Sequence, residues 1–155
     1  RRYADFLKRD FPRIPLTSSC DLFEALVTHG KALIMLHTMQ DVLPRITRFD
    51  VAGSNEVVKV RWADEPASPT GGQAGVGRVY INQEQYFGAV PLAVWEMHIG
   101  GYRVAEKWLK DRKGRQLSYD DLTHYQSVIA ALARTLALQH EIDSVIELAG
   151  GWPLR

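Results

Sequence analysis

Six basic side chains, Arg103, Lys107, Lys110, Arg112, Lys113 and Arg115, fall within Gly100–Arg115 (GGYRVAEKWLKDRKGR) against two acids, Glu106 and Asp111. The formal net charge of the whole chain is only +1, so these cations are concentrated rather than spread. At helical spacing Arg103, Lys107 and Lys110 lie at i, i+4 and i+7 on one face, while Val104, Trp108 and Leu109 take another that suits a core. A basic ridge backed by an aromatic can present cations to a phosphate backbone. The competing reading of the same residues is a solvated helix face.

Other groups could do chemistry but lack partners at a fixed spacing. His29 and His37 are eight apart on one helical stretch, with no acid or third ligand in register. His124 and His140 are too far apart along a helix to share an ion, and His98 sits in an alternating segment, so no metal site is expected. Ser19 and Ser118 read as helix caps, and Asp120-Asp121 as compensation for a helix dipole. The single Cys20 excludes an internal disulfide and fits a reducing cytoplasm. The glycines of Glu65–Gly77 (EPASPTGGQAGVG) lack the Lys-Ser/Thr pair and the strand-to-helix frame of a phosphate loop.

The run VWEMHIGGYRVAEKWLKDRKGRQLSYDDLTHYQSVIAAL (Val94–Leu132) carries the words W-x-x-x-I-G-G-Y-x-V, K-W-L-K-D-R-K-G-R-x-L-S and D-x-x-H-Y-Q. It resembles the C-terminal specificity domain of type ISP restriction-modification enzymes and related adenine-N6 DNA methyltransferases. YADFLKRDFPRIPLT and DLFEALVTHGKALIMLH near the start look similar too. Only Ile46–Ala93 is poorly covered, and it is the part expected to vary with the DNA target. The resemblance implies a non-catalytic target-recognition domain without a cofactor. Its partners would be double-stranded DNA and the methyltransferase domain of the same polypeptide, in a bacterial or archaeal cytoplasm. The chain lacks an Asn/Asp-Pro-Pro-Tyr/Phe turn for an extruded adenine and a glycine-rich turn for a methyl donor. It also lacks a nuclease Asp…Glu-x-Lys cluster, and the full-length family carries those activities in other domains. Arg1-Arg2, with no initiator Met, fits a piece of a longer polypeptide.

Under that reading the basic segment makes phosphate contacts that set position, and residues between Thr47 and Gln85 read bases. Arg61, Arg78, Asn82, Gln83 and Gln85 have the paired donors and acceptors that major-groove readout needs. Tyr80, Tyr86 and Phe87 flank a loop and either touch bases and sugars or pack inside, whereas Trp62, Trp95 and Trp108 read as core. The alternative function is an intramolecular docking module, in which the Gly100–Arg115 segment and the helix after it brace the methyltransferase domain.

The elements that must hold these residues follow from periodicity. At 155 residues one domain, 1–155, is expected, with 46% apolar and 24% charged side chains, as in ordinary globular proteins. No apolar run is long enough to span a bilayer, so no membrane partner is expected. The pattern predicts a short helix over Arg1–Asp10 and an amphipathic helix from Cys20 to about Gln40, in which Gly30 implies close packing. A hairpin is predicted from Ile46–Val51 and Glu56–Trp62 around Ala52–Asn55, with strands at Arg78–Asn82 and Val94–Ile99. Gly114 should end the basic helix, and Ser118-x-x-Asp121 should cap a long helix that runs to Gly150-Gly151. The fold class is therefore α+β: a small, mainly antiparallel sheet with two long helices and a short basic helix.

Overall fold

The structure, a computed structural model, describes residues 16–41, 43–64 and 75–151. The expected helix over Arg1–Asp10 and most of the glycine-rich loop lie outside them. The architecture is α+β, and its contacts group into two compact units, Met35–Ala137 and the pair of segments Arg1–Ile34 with Leu138–Arg155.

In the second unit, helix α1 (Cys20–His37) begins where expected. Ser19 Oγ accepts from the backbone N–H of Leu22 at 3.3 Å, which satisfies a donor the first turn cannot satisfy itself. The close packing expected of Gly30 is not found: a Cβ there would meet no described atom within 4 Å.

The Met35–Ala137 unit is built on a three-stranded antiparallel sheet in the order β1 (Arg61–Asp64), β2 (Val76–Tyr80), β3 (Tyr86–Pro91). Its register pairs Arg61 with Tyr80, Trp62 with Val79, and Tyr80 with Tyr86. Because side chains alternate across a sheet, Trp62, Val79 and Phe87 face one way and Arg61, Arg78, Tyr80 and Tyr86 the other. Between Gly77 and Val79 the β2–β3 register shifts, and Ala89 on β3 takes up the extra residue at φ 57°. Gly77 has no room for a side chain: a Cβ there would sit 2.6 Å from Ala63 O and collide with the Trp62 ring, which stacks on Trp95 at 5.7 Å.

Two expectations fail here. The segments Ile46–Val51 and Glu56–Trp62 do not form a hairpin with each other, because each finds a different partner. Arg48 exchanges backbone hydrogen bonds with Gly88, Val57 pairs with Gly114 and Arg115, and only Arg61–Asp64 becomes a strand, against β2. The strand expected over Val94–Ile99 is instead a helical turn, α2 (Leu92–Trp95), followed by β4 (His98–Ile99), which pairs with β5 (Tyr102–Arg103). Pro91, at φ −66° and ψ 135°, ends β3 and turns the chain into that helix.

The basic helix α3 (Val104–Lys110) and the long helix α4 (Tyr119–Leu148) complete the set. Ser118 and Asp121 cap α4 reciprocally: Asp121 N–H donates to Ser118 Oγ at 3.1 Å, and Ser118 N–H donates to Asp121 Oδ2 at 3.0 Å. The core gathers Val57, Val79, Phe87 and Trp95 from the sheet side, Leu109 from α3, and Tyr125, Ile129 and Leu132 from α4. Tyr125 sits at its centre, touching Phe87 at 4.5 Å and Trp108 at 5.1 Å, and donates its hydroxyl to Ala105 O at 3.2 Å. Burial raises the Tyr125 phenol well above its ordinary value, so it stays protonated as a donor.

Candidate nucleic-acid interface

Arg103 ends β5, Lys107 and Lys110 lie on α3, and Arg112, Lys113 and Arg115 lie on the turn after it, and they are not six equivalent cations. Lys107 Nζ lies 2.7 Å from Asp111 Oδ2, and Lys110 Nζ lies 2.8 Å from Glu106 Oε1, each one helical turn apart. Arg112 is laid flat over Trp108 at 3.5 Å, donates to Trp108 O at 3.0 Å and faces Asp121 Oδ1 at 3.7 Å. Its guanidinium therefore closes the packing between the turn and α4. Arg103 stands half-buried at the head of α3. Lys113 and Arg115 are exposed, on a turn that Gly114, at φ 77°, allows and that Val57 pins through two backbone bonds. Surface pairs such as Lys107–Asp111 stabilise by only a few tenths of a kcal/mol, so a phosphate can displace the aspartate.

The five candidate base readers separate into two groups. Gln85 is 1% exposed and its amide is saturated. Its Nε2 donates to Val51 O at 2.9 Å and Asn55 Oδ1 at 2.7 Å, and its Oε1 accepts from Asn55 N–H at 2.7 Å and Asn82 Nδ2 at 3.0 Å. Asn82 turns its oxygen back to the N–H groups of Glu84 and Gln85. Gln85 holds the β2–β3 turn to Val51 and Asn55, Asn82 Nδ2 donates to Glu56 O at 3.2 Å, and Gly53 leaves the space Gln85 needs: a Cβ there would lie 2.6 Å from Gln85 Cδ. The amides of Asn82 and Gln85, two of the candidate readers, are thus engaged within the fold. Gln83 is exposed at the tip of the turn.

Arg61 and Arg78 lie on the face of the sheet opposite the core. The Arg61 guanidinium is 3.6 Å above the Tyr80 ring and that of Arg78 is 4.5 Å above Tyr86, while the two rings are 5.1 Å apart. Two guanidiniums and two phenol rings, the rings tilted at 47° to each other, thus form one row. A guanidinium over a ring is held by its face, so the row orients Arg61 and Arg78. Phe87, the third aromatic in question, is fully buried against Phe49 and Tyr125. Of the tryptophans, Trp95 is buried, and Trp62 and Trp108 are half-buried against the core.

Sequence reasoning passes over Arg48, which extends the row. A Cβ built on Gly88 would meet Arg48 Nε at 3.2 Å, its Cγ at 3.3 Å and Tyr86 Cε2 at 3.5 Å, so the Arg48 side chain crosses β3 beside the Tyr86 ring. The Arg78-x-Tyr80 alternation is a sequence signal for this face, but Arg48 reaches it only through its long-range pairing with Gly88. Among the described residues no group of three or more His, Cys, Asp or Glu could hold a metal ion, and no helix is long and apolar enough to cross a membrane.

Two solved structures share this fold. The chain aligns with a nuclease-deletion mutant of the Type ISP restriction-modification enzyme LlaGI in complex with a DNA substrate mimic, at TM-score 0.57 and 23% identity. It aligns with the ATP-dependent Type ISP restriction-modification enzyme LlaBIII bound to DNA, at TM-score 0.61 and 20% identity. The alignments cover 91% and 90% of this chain but only 14% and 10% of those chains. Among curated proteins none matches. Residues 1–141 match the Type ISP C-terminal specificity domain, with its K-W-L-K-D-R-K-G-R word on α3 and the following turn, and the chain belongs to that family.

Proposed function

We propose that this chain recognises a specific double-stranded DNA sequence for a methyltransferase and nuclease carried elsewhere in the same polypeptide, and performs no catalysis itself. The observation that carries the reading is the Arg61–Tyr80–Tyr86–Arg78 row, which holds two guanidinium forks on one sheet face. A guanidinium fork reads O6 and N7 of guanine in the major groove, and pre-stacking reduces the ordering cost of making that contact. Gln83 joins this face as a reader at the hairpin tip. Lys113 and Arg115, together with Arg103, Lys107 and Lys110, supply backbone contacts that hold position, and Arg112 braces the turn that carries them. Selection from a randomised duplex pool, with bound DNA sequenced, tests the reading: a short motif is enriched by the native chain and lost in Arg61→Ala/Arg78→Ala. Salt-sensitive binding without enrichment would remove base readout from these residues.

A second reading, docking against the methyltransferase domain, draws support from the β4–β5 hairpin. Ile99 and Tyr102 are paired across it and are 48% and 62% exposed, an apolar tip beside the basic helix. Replacing both by Ser would separate the roles, since docking would weaken while the enriched motif would stay.

A further inference from the structure

We propose that the cleft between Arg45–Asp50 and the first two turns of α4 binds one phosphodiester of a DNA backbone, as a site distinct from the basic turn. The proposal rests on the DNA-recognition reading above. The cleft, of about 360 Å³, is lined by Arg45, Thr47, Arg48, Asp50, Tyr119 and Thr123, with Gln126 and the apolar side chains of Phe49 and Leu122 behind them. Its walls are fixed. Arg48 is paired with Gly88 through two backbone bonds of 3.2 and 2.8 Å, Phe49 packs tilted against Phe87 at 4.7 Å, and Gln126 Nε2 donates to Thr47 O at 2.8 Å.

Three observations point to a phosphate oxygen as the ligand. The cleft's polar groups are mostly donors: two guanidiniums, three hydroxyls and an amide, against one carboxylate, Asp50, which Arg48 faces at 3.6 Å. Thr47 is 6% exposed, and its hydroxyl has no hydrogen-bond partner among the described residues, although it belongs to a cleft-lining residue. A buried polar group left so is costly, and a ligand oxygen would relieve it. Arg45 and Thr123 beside the exposed Tyr119 hydroxyl hold the phenol below its ordinary value, which places a cation and a donor at the rim of the cleft.

The DNA backbone is favoured over a free anion by continuity. Arg48 belongs both to the cleft and to the Tyr86 end of the guanidinium–aromatic row, so the cleft adjoins the reading face. A groove read by Arg61 and Arg78 brings its flanking sugar-phosphate chain along that face toward Arg48 and Arg45.

The test measures duplex binding by this chain across a salt series for Arg45→Ala and Thr47→Val. Arg45→Ala should weaken binding to every sequence alike and flatten the slope of log K against log salt by about 0.9, the signature of one lost phosphate contact. Thr47→Val removes a neutral donor. It should weaken binding roughly ten-fold with the slope unchanged and with thermal stability equal or higher, because no hydrogen bond within the protein is lost. Native affinity and slope in both variants would overturn the cleft, and if the native chain still enriches a motif, only the cleft falls. A second arm titrates the isotope-labelled chain with a dinucleoside monophosphate and with inorganic phosphate, following the amide signals of Thr47, Thr123 and Gln126. Shifts with the dinucleotide support the cleft even if duplex binding proves absent, which would remove the recognition reading alone. No shifts, or a tighter response to inorganic phosphate, would overturn the phosphodiester assignment.

Discussion

Arg61 and Tyr80 are direct partners across the β1–β2 pairing, and the guanidinium lies 3.6 Å above the tyrosine ring. The strand register, and not the loop beside it, therefore sets the direction of the arginine fork. Arg61→Lys keeps the charge but removes the fork and weakens the stack. Discrimination at one base pair should fall by about 1–3 kcal/mol while affinity for scrambled duplexes stays within two-fold or so. Fluorescence anisotropy with matched and mismatched duplexes reads both numbers. Equal losses on the two would place Arg61 on the backbone instead of a base.

Lys107 and Lys110 are each engaged by an acid of their own helix, which masks part of the basic surface. Asp111→Asn should strengthen binding to any duplex and steepen its salt dependence, whereas Lys107→Ala/Lys110→Ala should weaken binding uniformly and flatten the slope by roughly 0.9 per lost contact. Opposite responses from the two variants would identify the masking, and no response in either would remove α3 from the DNA interface.

Gln85→Ala leaves Asn55 N–H, Val51 O and Asn82 Nδ2 without the amide that now engages them. Each buried group so stranded costs about 1–3 kcal/mol, so denaturant unfolding should show a loss of several kcal/mol. Any loss of DNA binding should then follow the loss of fold. A stable variant with altered sequence preference would restore Gln85 as a reader.

Gly30 stands mid-helix, and a Cβ there would meet no described atom within 4 Å. Gly30→Ala should stabilise the chain by up to ~1 kcal/mol through helix propensity alone. A drop in melting temperature would reveal close packing at that position.

Asp121 is held below the usual carboxylate value, first by the hydrogen bond from Ser118 N–H and further by the Ser118 hydroxyl and the Arg115 and Arg112 charges. A folded value below the unfolded one contributes stability that is fully present above about pH 4 and is lost as pH falls through the folded value. Asp121→Asn should therefore lower stability at pH 7 and make the acid limb of the unfolding profile shallower. Parallel profiles for native and variant chains would refute the linkage.

The helices are legible in the sequence because their signals are local. Ser19 and Ser118-x-x-Asp121 mark helix starts at their observed places, whereas α3 ends at Lys110 and Gly114 closes the turn that follows it. The sheet is less so. The alternation around Ala52–Asn55 looks like a hairpin, yet each arm binds a partner tens of residues away, and nothing in a local window encodes Gly88 or Arg115 as that partner. The Trp95, Met97, Ile99 alternation misleads for a related reason: Pro91 starts a turn of helix that buries Trp95 while Ile99 stays exposed. The basic segment is visible in full, but its internal pairing with Glu106, Asp111 and Asp121 depends on side-chain geometry. Residue type alone cannot separate Arg61 from Gln85, because one amide and one guanidinium of similar reach end on opposite sides of the same fold.

The alternation along β2 separates two vocabularies on one strand. Gly77 and Val79 answer to the hydrophobic core, while Arg78 and Tyr80 answer to whatever lies outside it. Outward residues on such a strand can be exchanged without reopening the core. Under the proposed reading, such a scaffold is retargeted by a handful of substitutions at positions 61, 78, 80 and 86, with the folding problem solved once and inherited unchanged.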